Sequence, residues 1–412
     1  MKKNILFLLF LLTMPAAMLS AQNPGCDGSR YLDDVFSSVK KTIVVYAPTV
    51  SHLGQNINLS MDVYEPIGDN LSERPVVILA HGGSFAFGDK TLMQRWCELL
   101  AKKGYVAASI QYRLYPWLVL GLPDSIGIFD TAAKAVGDMK ASVRYFREDA
   151  ATSNQFRADA DNIFIGGFSA GAVTALHAGY MDEGDQIPTF LQNILAANGG
   201  LEGISGTASN KTYSSNSKAI VSMSGGIYRS FWVDSTEVPV VSIHGTADGT
   251  VPYTYGLAAN IAYLEGSSPI HAQAEEVGLW NNLLTVPGAG HTDLYDQAVW
   301  KPYVDTFWVN ATTLLESLAC AMVGVGEPTV QPFEQWSLYP NPSVDGSIGI
   351  QLPESDERAD LMVFDPLGRI VFQQKGIQNQ QFVQILNLSK GIYLVQVLHP
   401  SKRFELKQLV IE

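Results

Sequence analysis

Asn162-Ile163-Phe164-Ile165-Gly166-Gly167-Phe168-Ser169-Ala170-Gly171-Ala172-Val173-Thr174-Ala175-Leu176-His177-Ala178 is the stretch that decides how this chain reads. Its first five residues form a short apolar run, the pattern of a strand buried on both faces. Ala172 to Ala178 reads as a helix. Between them Ser169 stands on a sharp strand-to-helix turn, which pushes its hydroxyl out at the edge of a sheet. Gly167 and Gly171 suit a turn crowded by neighbouring chain. The flanking strand and helix turn a Gly-x-Ser-x-Gly match into a candidate nucleophile. Glycine makes up 36 of the 412 residues, so the pentapeptide by itself would be weak.

Working outward, strands and helices alternate from about Asn56 to Glu316. Ile57 to Tyr64 alternates with period two, the mark of a half-exposed strand. Pro75–Ala80, Tyr105–Ile110, Ala219–Met223 and Val238–Ile243 are continuous apolar runs, and Leu283–Val286 is a shorter last strand. Helical patterns lie at Leu92–Lys103, Phe129–Asp149, Gly171–Tyr180, Thr254–Leu264 and Tyr295–Leu318. Such alternation predicts an α/β fold with a mostly parallel sheet flanked by helices. Two segments break the rhythm. Asp182 to Ser217 is long, polar and glycine-rich, either a lid on the substrate side or a mobile loop. Tyr115 to Ile128 carries Trp117 and Leu118 to Leu122 and reads as a further apolar wall.

Acyl transfer through a serine needs a base, a group that orients the base, and donors for the oxyanion. Asp248 follows the strand ending near Ile243, in His244-Gly245-Thr246-Ala247-Asp248. His291 follows the strand ending near Val286, in Pro287-Gly288-Ala289-Gly290-His291. Both fall at carboxyl ends of strands, where open α/β sheets place their ligand sites. Asp248 would fix the His291 tautomer, and His291 would take the Ser169 proton. Oxyanion donors are expected from the Ala170 amide and from the loop His81-Gly82-Gly83-Ser84-Phe85 after the strand 75–80. His81 reads as a loop-shaping residue, His244 and His177 as structural. Asp293, two residues from His291, is a poor rival for the acid. Asp159 and Asp161 read as turn formers rather than calcium ligands, and Arg113 as a buried structural donor. Phe85, Phe87, Trp117, Trp232 and Trp280 read as core or as the lining of an acyl or sugar site.

At these residues the chain resembles α/β-hydrolase carboxylesterases and lipases of the His-Gly-Gly type over roughly residues 60–316. Tyr112-Arg113-Leu114 and Asp161 to Gly171 add to the likeness. The resemblance implies Ser169, Asp248 and His291 as the triad and Gly83, Ser84 and Ala170 as the oxyanion amides. The family often has a third glycine where Ser84 stands; a backbone donor survives that change. No metal and no organic cofactor are implied. The expected substrate is a small-molecule or carbohydrate-linked ester, with a short-chain acyl group as the most natural guess. A peptidase of the same fold would use the same triad, although no large N-terminal propeller is present to gate peptides. A non-catalytic surface-binding homologue is disfavoured by the intact Ser169, Asp248 and His291.

The ends of the chain read differently. Met1-Lys2-Lys3-Asn4 followed by the apolar run Ile5–Met14, with Ala21 before a plausible cleavage point, reads as a signal peptide. It is too short for a membrane span, and no other stretch reaches spanning length. Net charge is −13 with no basic cluster, which disfavours nucleic acid as a partner. Composition shifts at Val323-Gly324-Val325-Gly326-Glu327-Pro328, a linker. Beyond it short strands alternate with turn residues such as Asp365-Pro366-Leu367-Gly368 and Ser389-Lys390-Gly391, predicting a small all-β sandwich. Leu338-Tyr339-Pro340-Asn341-Pro342, Val363 to Arg369, Leu388 to Val395 and Lys407 to Ile411 resemble the sorting domain of the type IX secretion system of Bacteroidetes. That likeness implies contact with the secretion machinery and a secreted or outer-surface location, reached through the periplasm. The expected organisation is a signal peptide at 1–21, a catalytic domain at 22–322, a linker at 323–334 and a sorting domain at 335–412. Of the three cysteines, Cys26 is expected to pair with Cys97, which would staple the N-terminal arm to the first helix and leave Cys320 over. No lipoprotein pattern precedes Cys26.

Overall fold

Strands made mostly of Val, Ile and Ala have to be covered on both faces, and they are. In the computed structural model, β3 (Arg74–Ala80), β4 (Val106–Ile110) and β6 (Ile220–Met223) are buried at every position. The model describes residues 25–321, 336–344, 346–352, 358–364, 370–378, 380–385, 388–398 and 407–411. The expected signal peptide, the expected linker and the turn at Asp365 lie outside them. β1 (Val39–Val50), β2 (Asn56–Pro66), β5 (Ala158–Phe168), β8 (Val240–Gly245) and β11 (Asn281–Val286) complete an eight-stranded sheet ordered β1-β2-β4-β3-β5-β6-β8-β11. β1 and β2 run antiparallel at one edge; the pairs from β4 to β11 are parallel. Parallel pairs require crossovers, and helices supply most of them.

On one face, α1 (Gln94–Lys102) and α8 (Lys301–Ala319) bury Cys97, Leu100, Phe307, Trp308 and Leu315 with Val77, Leu79, Val221 and Ile243. On the other, α3 (Ser125–Ala151) and α4 (Ala170–Tyr180) pack with Ile78, Ile163 and Ile220. The Asp124 side chain accepts the Gly127 N–H at 2.8 Å and caps α3, a contact worth about 1 kcal/mol. α3 buries polar residues too, and the reason lies in Asp182–Ser217. That segment is neither a lid nor a loose loop. It holds α5 (Thr189–Ala197) and two short 3-10 turns. Glu202 pairs with Lys140 and Arg144 of α3, Asn210 Oδ1 accepts from Arg144, and Arg113 donates to both Asp138 and Ser205. Buried charges of this kind persist only when paired. The segment is tied to the outer side of α3 and contributes none of the residues lining the cavity at Ser169.

Four further expectations are corrected. Thr254–Leu264 is a hairpin, not a helix: β9 (Tyr255–Ala258) pairs with β10 (Ala262–Gly266), which also pairs with the short β7 (Gly226–Ile227). Ala259 and Asn260 turn it at positive φ, 48° and 59°, a conformation no helix uses. Tyr295–Leu318 is broken into α7 (Asp293–Asp296), a 3-10 turn and α8, with α6 (Ser267–Glu276) lying earlier. Cys26 pairs with Cys320, at the end of α8, and not with Cys97. Cys97 is free and wholly buried on the core face of α1, where burial pushes its thiol pKa well up. Tyr115–Ile128 is a wall only at its end. Ile128 faces the cavity, while Leu118, Val119, Leu120 and Leu122, on or just past α2 (Trp117–Leu120), face solvent.

In the C-terminal part β12 (Ser337–Tyr339), β13 (Ser347–Gln351) and β16 (Gln381–Gln384) form one antiparallel sheet. β14 (Ala359–Phe364), β15 (Ile370–Ile377), β17 (Gly391–Leu398) and β18 (Lys407–Ile411) form a second. Trp336, Ile348, Ile350, Leu361, Val363, Val395 and Leu409 belong to a single core of their own.

Candidate active site

Ser169 sits between β5 and α4 with φ 55° and ψ −122°. A non-glycine residue holds such a conformation only where its surroundings impose it. The two flanking glycines show what imposes it. A Cβ on Gly167 would lie 2.5 Å from the Ala80 carbonyl oxygen, and one on Gly171 would lie 2.0 Å from the same atom. The end of β3 thus presses on the turn from below and forces it out. Gly82, on the loop leaving β3, packs so closely that a Cβ there would meet the Phe168 ring at 2.8 Å and Ser169 Cβ at 3.0 Å.

The loops after β8 and β11 are knitted to each other. Thr246 N–H donates to Val286 O at 3.0 Å, Ala247 N–H to Ala289 O at 3.0 Å, and Gly288 N–H to Thr246 Oγ1 at 2.9 Å. Asp248 Oδ1 accepts the amides of Thr250 at 2.8 Å and Val251 at 2.9 Å. Its Oδ2 faces His291 Nδ1 at 2.6 Å, and His291 Nε2 lies 2.8 Å from Ser169 Oγ. A carboxylate only accepts, so Nδ1 carries the hydrogen and Nε2 is left to accept from the serine. Burial alone would raise the Asp248 carboxyl pKa; contacts with His244 and His291 outweigh it and hold the group well below the usual carboxylate range. Asp293 is engaged elsewhere, accepting the Gly290 amide at 3.2 Å and shaping the base loop.

Of the expected oxyanion residues, Ala170 opens α4, so its amide has no acceptor within the helix. Gly83 and Ser84 lie on the loop packed against Ser169, at φ 126° and 51°. His81 shapes that loop. Its Nδ1–H donates to Gly82 O at 2.7 Å, its ring stacks on Tyr112, and its carbonyl accepts the Tyr112 hydroxyl at 2.7 Å. His177 is also structural: Nδ1–H donates to Val173 O, Nε2 accepts the Tyr228 amide, and burial pushes the imidazole pKa down to about 4. Asp159 accepts from Asp161 N–H and the Asn162 amide, as a turn former does. Arg113 is held in a two-pronged contact with Asp138.

Ser169 opens on a cavity of about 70 Å³ lined mainly by Phe85, Phe129, Val173, Ile261 and Leu264. Phe85 is the one expected aromatic that lines it; Phe87 packs on Trp117, Trp232 is core, and Trp280 packs beside β11. A second, open cleft of about 730 Å³ lies past Phe168, between Gly82–Glu98 and Thr292–Asp296. Three contributions went unread in the sequence. Phe168 stacks on His291 with centroids 5.0 Å apart, and Tyr295 meets Phe168 edge-on while bonding Ser224. The β9–β10 hairpin supplies one wall of the smaller cavity. The hairpin had a signal, the Ala259-Asn260 turn; the two rings had none.

Residues 61–228 match the BD-FAE family model, and residues 337–412 match the model of the secretion system C-terminal sorting domain. The chain thus carries an esterase-like α/β-hydrolase segment over residues 61–228 and a secretion sorting domain over residues 337–412. No curated protein matches this chain. Among solved structures, a thermophilic esterase from the planctomycete Thermogutta terrifontis, bound to propionate, is 19% identical with a TM-score of 0.49. The match covers 69% of this chain and 96% of that one. Esterase 2 of the same organism, phosphorylated by paraoxon, is 19% identical with a TM-score of 0.48, covering 68% and 95%. The sorting domain marks the hydrolase for export, and no helix among the described residues is long and apolar enough to cross a membrane.

Proposed function

We propose that this hydrolase is a secreted serine carboxylesterase acting on short-chain acyl esters of polar, carbohydrate-like alcohols. In this reading residues 22–322 are the catalytic domain, 323–334 a linker and 335–412 the sorting domain that meets the secretion machinery. The observation that carries it is the unbroken hydrogen-bonded chain from Ser169 Oγ through His291 to Asp248, built on a strained turn that opens on an apolar cavity.

Ser169 Oγ attacks the ester carbonyl while His291 Nε2 takes its proton. Asp248 holds the ring in the required tautomer and stabilises the imidazolium. The amides of Ala170, Gly83 and Ser84 receive the oxyanion, each donor contributing about 3 kcal/mol to the transition state. His291 then gives its proton to the departing alkoxide, and the acyl-enzyme is hydrolysed by water along the same path. The leaving oxygen must lie on the imidazole side of Ser169, and the open cleft bordered by Gly83, Phe168 and Thr292 is the seat assigned to the alcohol in this reading. Thr91, Gln94, Arg95, Trp96, Thr292 and Asp296 in its lining combine hydrogen-bonding groups with an aromatic face, the mixture that suits a polyhydroxylated alcohol. The acyl group faces the small apolar cavity.

Purified protein is expected to cleave p-nitrophenyl acetate, and Ser169→Ala to lower kcat/KM by about 10⁴-fold or more. A fluorophosphonate probe should label the wild type and not the variant. Unchanged turnover in Ser169→Ala would end this reading.

A further inference from the structure

His244 lies at the end of β8, four residues before Asp248, and is wholly buried. Both of its nitrogens are committed. Nδ1 meets Ser267 Oγ at 2.8 Å, and Nε2 meets the Val251 carbonyl oxygen at 3.0 Å. A carbonyl only accepts, so Nε2 carries a hydrogen and Nδ1 takes its partner from the serine hydroxyl. That Nε2–H also lies 3.2 Å from Asp248 Oδ2, the oxygen that receives His291 Nδ1–H. Two imidazoles therefore converge on one carboxylate oxygen, one exposed toward substrate and one sealed in the core. Sequence reading assigned the second a purely structural role.

We propose that His244 is a positioning residue: its Nε2–H shares the charge of Asp248 and so limits how tightly Asp248 holds the proton of His291. The idea rests on the reading of Ser169, His291 and Asp248 above. With the His244 donor in place, part of the Oδ2 charge is already compensated, and His291 releases its proton more readily. Without it, Oδ2 has only His291 as a side-chain donor and attracts the imidazolium more strongly.

Other groups face this pair. Tyr253 stands edge-on to His244 with centroids 5.6 Å apart, its hydroxyl bonded to Thr285 Oγ1. His271 of α6 is bonded to Ser242 and Asn281, and burial pushes it down to about 4. Tyr295 of α7 is pushed up by burial, and Asp293 accepts from the base loop. Neither His271 nor Tyr295 changes charge near neutral pH, so a shift there reports the Asp248–His291 pair.

The test is the pH profile of kcat/KM on p-nitrophenyl acetate from about pH 5 to about pH 9, whose acid limb reports the essential base. His244→Phe keeps a ring and removes the donor. It is expected to move the acid limb up by about half a unit and so to lower kcat/KM about threefold below the limb. His244→Gln places an amide N–H near the Nε2 position and should return the limb to the wild-type pH. Should His244→Phe fail to fold, His244→Leu removes the same donor with a smaller side chain and is expected to move the limb in the same direction. An acid limb that stays put or moves down in the folded variants, with Phe and Gln equally impaired, makes His244 a packing residue and overturns the proposal. Ser169→Ala run alongside separates the two ideas: unchanged turnover there sinks the triad itself, whereas a loss of about 10⁴-fold there with an unmoved limb in the His244 variants sinks only the role of His244.

Discussion

Replacing Leu264 by alanine should rewrite the acyl preference by a calculable amount. Leu264 lies on β10, is 8% exposed and lines the cavity beside Ser169. A volume of about 70 Å³ is a little over two water volumes at about 30 Å³ each. It takes roughly two carbons beyond the carbonyl, so propionyl fills it. Each methylene that finds apolar room is worth about 0.8 kcal/mol, a factor of about four in kcat/KM. The wild type should therefore favour propionyl over acetyl by about fourfold and fall off beyond butyryl, with a bulky aromatic acyl group excluded. Leu264→Ala removes three carbons from the wall. Three more methylenes can enter, worth about 2.4 kcal/mol, so hexanoyl turnover should rise about sixtyfold relative to the parent. The cavity costs about 2–5 kcal/mol of stability, so the melting temperature is recorded first and rates are measured well below it. The assay is kcat/KM across p-nitrophenyl esters from acetate to octanoate. A wild-type optimum at octanoate, or a Leu264→Ala profile that parallels the wild type, would refute the assignment of this cavity to the acyl chain.

Two further outcomes concern stability. The Cys26–Cys320 bridge closes a loop with a sequence separation of 294. Chain entropy alone assigns such a loop about 5–6 kcal/mol, and measured native bridges give about 2–5. Cys320→Ser, or a reductant, should lower the calorimetric melting temperature by about 5–15 °C, and an unchanged value would show the bridge to be energetically idle. Glu237 has a folded-state pKa raised from 4.5 to about 8 by burial and by Asp234, Asp182 and Asp185. A raised pKa means the fold binds a proton that the unfolded chain has already released, so stability is full below about pH 4.5 and is lost as pH rises through about 8. Melting temperature measured across that window should decline, and Glu237→Gln should flatten the slope; a variant with the parental slope removes Glu237 as its source.

The parallel sheet was legible because its strands are unbroken apolar runs, and Ser169, Asp248 and His291 were legible because chain order and strand ends restrict where such residues can stand. β1 escaped because it is an edge strand whose Ile43 and Val45 face solvent while Tyr46 and Ala47 are buried, so no single run or clean alternation marks it. The β9–β10 hairpin was misread because Leu257, Ala258, Ile261, Ala262 and Leu264 also satisfy a helical spacing. Asn260 at φ 59° was the residue that should have outweighed it. The disulfide could not be read at all. Cys97 and Cys320 are both compatible with pairing in sequence, and only the packing of α1 decides that Cys97 points into the core.

The glycines at the elbow and the histidines behind it differ in kind. Gly167 and Gly171 are demanded by close backbone, the Ala80 carbonyl for both and the Gly171 carbonyl for Gly167 as well, and any chain making this turn beneath that strand meets the same obstruction; a local motif can therefore announce them. His244 looks like any strand-end histidine until Asp248 and Val251 of the loop that follows it and Ser267 from beyond the hairpin are brought around it. Its placement depends on the hairpin that periodicity mistook for a helix, since Ser267 follows β10 directly. An error over one supersecondary unit thus hid two features together, the wall of the cavity beside Ser169 and the second imidazole on Asp248. Both lie in the stretch from His244 to Ser267, beyond residue 228 where the BD-FAE match ends. Variation there is the physical route by which this hydrolase could change its acyl group and its working pH while Ser169 and the oxyanion loop stay as they are.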